Sequence, residues 1–198
     1  HVYKFKSGKG LKISMTCVDS GGHYTQEVYA ACRARFTKRV FAIKGKGGPD
    51  IPFVGLPTKV ALKDNKRITY YLYTVGVDAG KSKIMGSLKV QEPGANYSHF
   101  PRGERGYDSA YFTGLLSEKL VLSHTGHGDR WVWVKLPGHQ RNEALDCRNY
   151  ANAALRIIDP DMDAIERRLK GNTEQPKAVV KQKQARTRRS RYLDGDDW

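Results

Sequence analysis

The sequence predicts an α/β protein with a mixed sheet, and two hydrophobic patterns carry that prediction. A strand-like run, a helical periodicity and a second strand-like run follow one another within residues 11–44, at the spacing of a βαβ crossover. Such a crossover joins parallel strands, and we expect it to be right-handed. Two later strand-like runs, residues 120–122 and 131–134, are close enough in the chain to pair as an antiparallel hairpin.

Each part of the crossover has its own signal. Residues 11–18 are a hydrophobic, partly β-branched run typical of a buried strand, which the Gly-Gly pair at 21–22 interrupts. Residues 39–44 form the second strand and lead into a glycine-rich loop. Between the strands, residues 25–36 have one apolar helical face, made of Val28, Ala31, Cys32 and Phe36.

The later elements alternate in the same way. Residues 68–75 are strand-like, and Asp78 is placed to cap the helix that follows. Another helix begins near Asp108, and the longest helix covers residues 141–158, with Asp159 and Pro160 ending it and starting one more. Three of these helices have a predicted buried face. The helix after Asp78 is predicted to bury Ile84, Met85 and Leu88, and the helix from Asp108 to bury Tyr111, Phe112, Leu115 and Leu116. The longest helix is predicted to bury Ala144, Leu145, Cys147, Ala151, Ala154, Leu155 and Ile158.

Composition and charge narrow the class of protein. The 198 residues predict one folded domain, residues 1–170, followed by a basic tail, residues 171–198. Hydrophobic content of 39% excludes wholesale disorder, and no apolar run is long enough to cross a membrane. Three cysteines without CxxC spacing indicate a reducing compartment, with the thiols packed as small apolar groups.

The positive charge is spread over the whole chain. The formal net charge is +15, of which residues 1–169 carry +11. A folded body this basic attracts polyanions, and nucleic acid is the commonest; generic solubility is the alternative. The tail has no sustained apolar face, which favours a phosphate-contacting arm or a partner-docking segment.

Two tempting motifs are rejected. Gly80-Lys81-Ser82 resembles the end of a phosphate loop, but position 75 is Val where that loop needs Gly, so an ATPase or phosphotransferase site is not expected. His124 and His127 stand beside Asp129 without a companion Cys or Glu motif. That group is more typical of a solvated turn than of a metal site.

Two aspartates have unusual settings. Asp19 follows a predicted strand directly, where α/β sheets present ligand-binding side chains, and Asp146 lies within the longest helix. Asp19 could instead cap the turn 20–22, and Asp146 could face solvent. Together with the basic body, however, two converging carboxylates suggest Mg²⁺ or Mn²⁺ and hydrolysis of phosphodiesters, with two metals about 3.5–4 Å apart.

Several motifs give the chain a family resemblance. In order they are Cys17-Val-Asp-Ser-Gly-Gly22, Phe41-Ala-Ile-Lys-Gly45, Val75-Gly-Val-Asp-Ala-Gly-Lys81, His99-Phe-Pro101 and Arg141-Asn-Glu-Ala-Leu-Asp-Cys147. Between about residues 13 and 158 the chain resembles the C-terminal nuclease domain of the large terminase subunit of lambda-like tailed bacteriophages.

The resemblance implies a ribonuclease-H-like fold and an endonuclease that cuts concatemeric double-stranded DNA with divalent metal. Asp19 is similar to the family's strand-end metal ligand and Asp146 to its helix-borne ligand. Asp78 and Lys81 match a family Asp-x-x-Lys, in which Lys81 could orient a phosphate or the attacking water; a solvated Lys81 with Asp78 merely capping is the alternative. Asn142 and Glu143 are expected to support Asp146.

The resemblance also implies partners and a location. These are the terminase ATPase domain, the small terminase subunit and the portal, at the procapsid in the host cytoplasm, without a membrane. One departure stands out, because residues 1–18 contain no Asp or Glu where the fold takes a further metal ligand from its first strand. We therefore expect the chain to begin after that strand, and to bind metal weakly and cut poorly by itself.

Two functions from different classes remain. The first is a metal-dependent nuclease domain in which Asp19 and Asp146 hold the metal and scattered lysines and arginines hold the DNA backbone. The second is a non-catalytic basic module that binds DNA or docks on the packaging machinery, with the acids structural.

Overall fold

The structure is a computed structural model that describes residues 2–4, 8, 10–62, 65–103, 105–126, 128–138 and 141–171. The chain divides into two units, residues 1–159 and residues 160–198. In the first unit the strands are β1 (Val2–Lys4), β2 (Gly10–Lys12), β3 (Thr16–Asp19), β4 (Val40–Lys46), β5 (Thr58–Ala61), β6 (Thr69–Gly76), β7 (Glu118–Thr125) and β8 (Gly128–Lys135). Its α-helices are α1 (Thr25–Ala34), α2 (Val77–Leu88), α3 (Ser109–Leu115) and α4 (Glu143–Ile158); α5 (Met162–Leu169) lies in the second unit.

A four-stranded mixed sheet organises the first unit. Its order is β3-β4-β6-β5, with β3, β4 and β6 parallel and β5 antiparallel to β6. The crossover from β3 through α1 to β4 is the predicted parallel pair, with Asp19 opposite Ile43 at its carboxyl end. The predicted α/β class and mixed sheet are therefore confirmed.

Helices cover both faces of this sheet. Because successive strand residues point to opposite faces, Ala42 packs on one side with Tyr29 and Cys32 of α1, and Ile43 packs on the other with Ala153 of α4. A third cluster joins α2, α3 and α4 through Ile84, Leu115 and Leu145.

The predicted hairpin is confirmed as a separate two-stranded sheet. β7 and β8 pair antiparallel, with Leu120 opposite Trp133 and Leu122 opposite Trp131. Directly opposed residues share a face, so these four side chains form one apolar stripe along the hairpin.

Several burial predictions are wrong. Leu11 belongs to the exposed strand β2 rather than to β3, whose residues are at most half-buried. In α1 Tyr29 is buried where Ala31 was expected, and Phe36 and Leu116 are exposed beyond their helices. Periodicity places a residue on a face but cannot tell how far a covering element extends.

The buried face of α4 is also narrower than predicted. Leu145, Asn149 and Ala153 are buried, whereas the predicted inward residues Cys147, Ala151 and Leu155 are exposed. A polar residue, Asn149, takes a core position because its amide donates to the Val77 carbonyl at 3.1 Å. The expectation that all three cysteines are packed inside is also wrong, because Cys147 is exposed.

Two predicted helix caps are wrong as well. Asp78 lies inside the first turn of α2, whose N-cap residue is Gly76. Asp159 ends α4 in a left-handed conformation, and the cap of α5 is Asp161, which accepts from the Ala164 amide at 2.8 Å.

The predicted division between a domain ending at 170 and a tail stays a prediction. Residues 172–198, which include nearly all of that tail, lie outside the described residues. Within the part of the chain that the structure describes, no helix has the length and apolar character that a membrane span requires.

The contact between α2 and α4 leaves no room for a side chain at Gly80. A β-carbon there would lie 1.8 Å from Asn149 Oδ1 and 2.5 Å from a Phe53 ring carbon. We expect Gly80→Ala to lower the free energy of unfolding by about 3 kcal/mol, since overpacking typically costs ~1–3 kcal/mol. Chemical denaturation measures this change.

Gly86→Ala is the matched control, because it lies on the same helix with nothing within 4 Å of the added methyl. It should stabilise the protein slightly, since Ala favours helix by up to ~1 kcal/mol over Gly. Equal small gains in both variants would show that helix propensity, not the α2–α4 contact, governs position 80.

Candidate active site

Asp19 lies where the sheet presents it to a ligand. It is the last residue of β3, at the edge where the parallel strands β3, β4 and β6 end. Its Oδ1 accepts from the Gly21 amide at 2.9 Å, so Asp19 also caps the turn 20–22, which was the alternative role considered for it. Its Oδ2 is 3.3 Å from the hydroxyl of Tyr150, which donates to it from α4.

Asp146 lies in the first turn of α4, because that helix begins at 143 rather than 141. Its side chain is half-buried, and Oδ2 accepts from the Asn142 amide at 2.9 Å. The solvent-facing alternative is therefore wrong.

The two aspartates line one cleft. Its volume is about 340 Å³, and Tyr150, one helical turn after Asp146, bridges the helix to Asp19. The cleft is lined by Asp19, Gly21, Lys44, Gly45, Gly47, Val77, Lys81, Asn142, Asp146 and Tyr150. Acids, lysines and hydrogen-bond donors thus meet at the carboxyl edge of the sheet.

A buried ion pair supports one wall of the cleft. Lys81 Nζ donates to Glu118 Oε2 at 2.6 Å, and the two side chains are only 10% and 6% exposed. Glu118 Oε1 accepts from the same Asn142 amide at 2.8 Å. Lys81, Glu118, Asn142 and Asp146 therefore form one continuous network, and the alternative of a solvated Lys81 is wrong.

Burial is the main influence on the pKa values of Asp146 and Tyr150 in the cleft, whose charged lining residues are two aspartates and two lysines. Burial raises the pKa of Asp146; nearby Lys81 opposes this, while Glu118 and Asp19 add to it. Burial also raises the pKa of Tyr150, with Asp19 and Asp146 adding to the shift. Tyr150 consequently stays a neutral phenol and a hydrogen-bond donor near neutral pH.

Two predicted supporting acids do not reach the cleft. Asp78 accepts from the Gly48 amide at 2.7 Å and faces a neighbouring cavity. Glu143 is exposed at the first position of α4 and does not line the cleft, whereas Asn142 contacts Asp146 as predicted.

The rejected motifs have plain structural roles. Gly80, Lys81 and Ser82 lie inside α2, so they form no phosphate loop. His124 pairs with Asp129 at 2.7 Å on the exposed hairpin, and His127 is outside the described residues. Among described residues no group of three or more His, Cys, Asp and Glu side chains is arranged to hold a metal.

The sequence did not predict two residues that line the cleft, Lys44 and Tyr150, or Glu118, which supports its wall. Lys44 ends the predicted second strand, so the rule that selected Asp19 could have found it. Tyr150 is four residues after Asp146 and shares its helical face. Glu118 had no local signal, because its role depends on contacts with residues 37 and 24 positions away.

Fold and site together define an α/β protein with a cleft of aspartates and lysines at the carboxyl edge of parallel strands, within a chain of net charge +15. Comparison with known families gives this class a narrower identity. The chain belongs to the family "Terminase large subunit gpA, endonuclease domain", whose model matches residues 1–189. The predicted family membership is confirmed.

Two curated relatives are similar over most of the chain. Each is named "Terminase, large subunit": that of Escherichia phage lambda is 30% identical over 159 residues, and that of Enterobacteria phage P21 is 29% identical over 160 residues. Each match covers 78% of this chain and 24% of the relative, so the chain spans about a quarter of their length. No solved structure matches.

The raised pKa of Asp146 predicts how stability depends on pH. An acid that is harder to ionise in the fold than in the unfolded chain stabilises fully below its ordinary pKa, 3.8, and loses this contribution as pH rises through its folded value. In metal-free buffer at neutral pH, Asp146→Asn should therefore raise the free energy of unfolding.

Urea denaturation at pH 4 and pH 7 measures this effect. The advantage of Asp146→Asn over the unchanged protein should be larger at pH 7. Glu143→Gln is the control. This substitution removes the same charge from the same helical turn, but Glu143 is exposed. If Asp146→Asn were less stable than the unchanged protein at pH 7, burial would not be destabilising the ionised form of Asp146.

Proposed function

We propose that this chain is a divalent-metal-dependent nuclease domain that cuts concatemeric double-stranded DNA during genome packaging. The observation that carries the proposal is the meeting of Asp19 and Asp146 in one cleft, from elements 127 residues apart in sequence and bridged by Tyr150. The family supplies the endonuclease class. Metal dependence and the DNA substrate belong to the proposal.

The residues of the cleft fit Mg²⁺ or Mn²⁺. Asp19 and Asp146 offer carboxylate oxygens, and burial, with smaller contributions from Glu118 and Asp19, raises the pKa of Asp146; a bound cation would favour its ionised form. Mg²⁺ usually binds one or two carboxylates and keeps waters or phosphate oxygens as its other ligands, so Asp19 and Asp146 suffice for one ion, whereas a second ion would need the further aspartate that the family resemblance implies. Such a cation would activate water and stabilise the leaving oxygen; two ions are proposed for the complete domain.

The remaining cleft residues have positioning roles. Asn142 holds Asp146, Tyr150 holds Asp19, and Glu118 fixes the ammonium group of Lys81. Lys81 and Lys44 add positive charge beside the acids, where the phosphate of a bound strand would lie. Asp78 and Glu143 do not line the cleft, so they are weaker candidates for catalytic or supporting roles than the sequence suggested.

A ribonuclease-H-like arrangement of the sheet is part of the proposal. It is supported by the family resemblance and by acids presented at the carboxyl edge of strand β3 and on helix α4. Within the described residues β3 pairs only with β4 in the sheet. In a longer protein, a strand bearing a further aspartate could pair along the other side of β3.

The proposed partners follow from the same family. They are double-stranded DNA, the terminase ATPase domain, the small subunit and the portal, with the procapsid in the host cytoplasm as the place of action. The alternative function is a basic module that binds DNA or docks on the packaging machinery without cutting.

Cleavage of supercoiled plasmid by a complete large subunit carrying this chain tests the proposal. We expect nicking and linearisation with Mg²⁺ or Mn²⁺ and none with EDTA, and much weaker cutting by the 198-residue chain alone. Salt-sensitive DNA binding without cleavage under any metal would favour the non-catalytic module. Strong Mn²⁺-dependent nicking by the isolated chain would refute the need for a further upstream aspartate.

A further inference from the structure

A second concave site lies on the other side of the N-terminal turns of α2. It has a volume of about 440 Å³ and is lined by residues of the β7–β8 hairpin, the loop after β4 and the start of α2. Asp78 of the Asp-x-x-Lys motif lines it, but the family description assigns the site itself no role. Its size is within the range of small-ligand sites, about 300–1,000 Å³.

The hairpin contributes flat aromatic surface to this site. Trp131 and Trp133 both line it, and Trp131 is 60% exposed. Leu120 lies opposite Trp133 and extends the apolar wall. The indole N–H of Trp133 is buried and has no hydrogen-bond partner within the described residues. An exposed tryptophan beside a cavity offers a stacking surface that the fold itself leaves uncovered.

The charged residues of the site favour a nucleobase over a phosphate group on electrostatic grounds. Asp50, Asp78 and Asp129 line it with Arg130 as the single basic residue. Three carboxylates repel a phosphate group but can accept hydrogen bonds from the amino and ring N–H groups of nucleobases. Arg130 can hold the backbone beside an inserted base.

The two sites are neighbours in the fold. Gly47, Val77 and Lys81 line the aspartate cleft, and the residues that follow each of them, Gly48, Asp78 and Ser82, line the tryptophan site. Asp78 also accepts from the Gly48 amide, which ties the shared wall together. At three points, therefore, consecutive residues face the two sites, and this shared wall separates Asp19 and Asp146 from the tryptophans.

We infer that the tryptophan site receives an unpaired nucleobase of the DNA strand whose phosphate occupies the aspartate cleft. The inference rests on the proposed function for the presence of DNA. A base inside the helix cannot reach a pocket, because its complement and its stacked neighbours hold it; it must be unpaired or turned out. Stacking on Trp131 would hold such a base next to the backbone being cut.

Fluorescence of 2-aminopurine placed in a single-stranded gap of a DNA duplex tests the inference with the 198-residue chain. Binding should quench the probe, because the base stacks on Trp131. Trp131→Ala should lose the quenching and bind gapped DNA about 5- to 150-fold more weakly, since base–aromatic stacking contributes ~1–3 kcal/mol. Trp131→Phe keeps an aromatic ring and should retain part of both effects.

Intact duplex DNA and Phe36→Ala are the controls. Phe36 is also a partly exposed aromatic residue, but it precedes β4 at the other end of that strand, so its loss should change neither signal. Equal affinity and quenching for Trp131→Ala and the unchanged chain would overturn the inference alone, provided that both bind duplex DNA. Failure of the unchanged chain to bind any DNA at low salt would overturn the proposed function as well.

Discussion

Asp19→Asn and Asp146→Asn are each expected to abolish metal-dependent cleavage by a complete large subunit carrying this chain. Asparagine keeps the size of the side chain and can still accept from Gly21, Tyr150 or Asn142, but it removes the charge that the proposed cation would need. Losing only an outer partner of a metal ligand costs 10–100-fold, so loss of a ligand should reduce the cleavage rate by at least about 100-fold. Plasmid cleavage measured at saturating Mg²⁺ or Mn²⁺ gives this ratio.

DNA binding should survive both substitutions. Affinity for duplex DNA depends on phosphate contacts by lysines and arginines, so it should fall with added salt equally in variants and unchanged protein. Glu143→Gln is the matched control for cleavage: it removes a carboxylate from the same turn of α4, yet Glu143 is exposed and outside the cleft. Full activity in both aspartate variants would reduce the acids to structural roles.

The backbone framework was the predictable part of this molecule. Alternation of apolar runs located β3, α1 and β4, and their order required a parallel pair with Asp19 at its carboxyl end. That geometry favoured a position for Asp19 at the crevice beyond the strands, with capping of the turn 20–22 as the alternative. The convergence of Asp146 was predicted from its setting within a helix on the sheet, and the structure brings both residues to one cleft.

Tertiary hydrogen bonds were the unpredictable part. Asp78 has the position of a helix cap in sequence, but its carboxylate instead accepts from Gly48, 30 residues earlier. Glu118 starts an ordinary strand, and only the packed structure pairs it with Lys81. Local patterns fix local geometry; they carry no information on which distant donor a carboxylate will meet.

Surface apolar residues caused the errors of the opposite kind. Phe36 and Leu116 fit a helical stripe, yet each lies just beyond the end of its helix and is exposed. Folded proteins leave much apolar area on their surface, so an apolar residue at a helix end is weak support for burial.

Glu118 connects the hairpin to the helices that carry the site. It begins β7, while its partners Lys81 and Asn142 lie in α2 and just before α4. Because Asn142 also holds Asp146, displacement of Glu118 would disturb the position of one of the two cleft carboxylates. The network thus links the stability of the fold to the geometry of the cleft.

Glu118→Ala should lower the free energy of unfolding by about 3 kcal/mol. Lys81 would remain in the core as a charged group without its 2.6 Å partner, and breaking one side of a buried ion pair costs ~3–5 kcal/mol. The nearby charge of Asp146 offsets part of that cost, which places the expected value at the lower end. Urea denaturation at neutral pH measures the loss.

A double-mutant cycle separates the unpaired charge from lost packing. Lys81→Met combined with Glu118→Ala should be less destabilised than Glu118→Ala alone, because the double variant buries no unpaired ammonium group. Arg156→Ala provides the comparison for an ordinary ion pair: its 3.2 Å contact with Asp159 is exposed and should contribute less than ~1 kcal/mol. Additive losses from Lys81→Met and Glu118→Ala would mean that the two residues stabilise the fold independently, and that the cleft wall does not depend on their pairing.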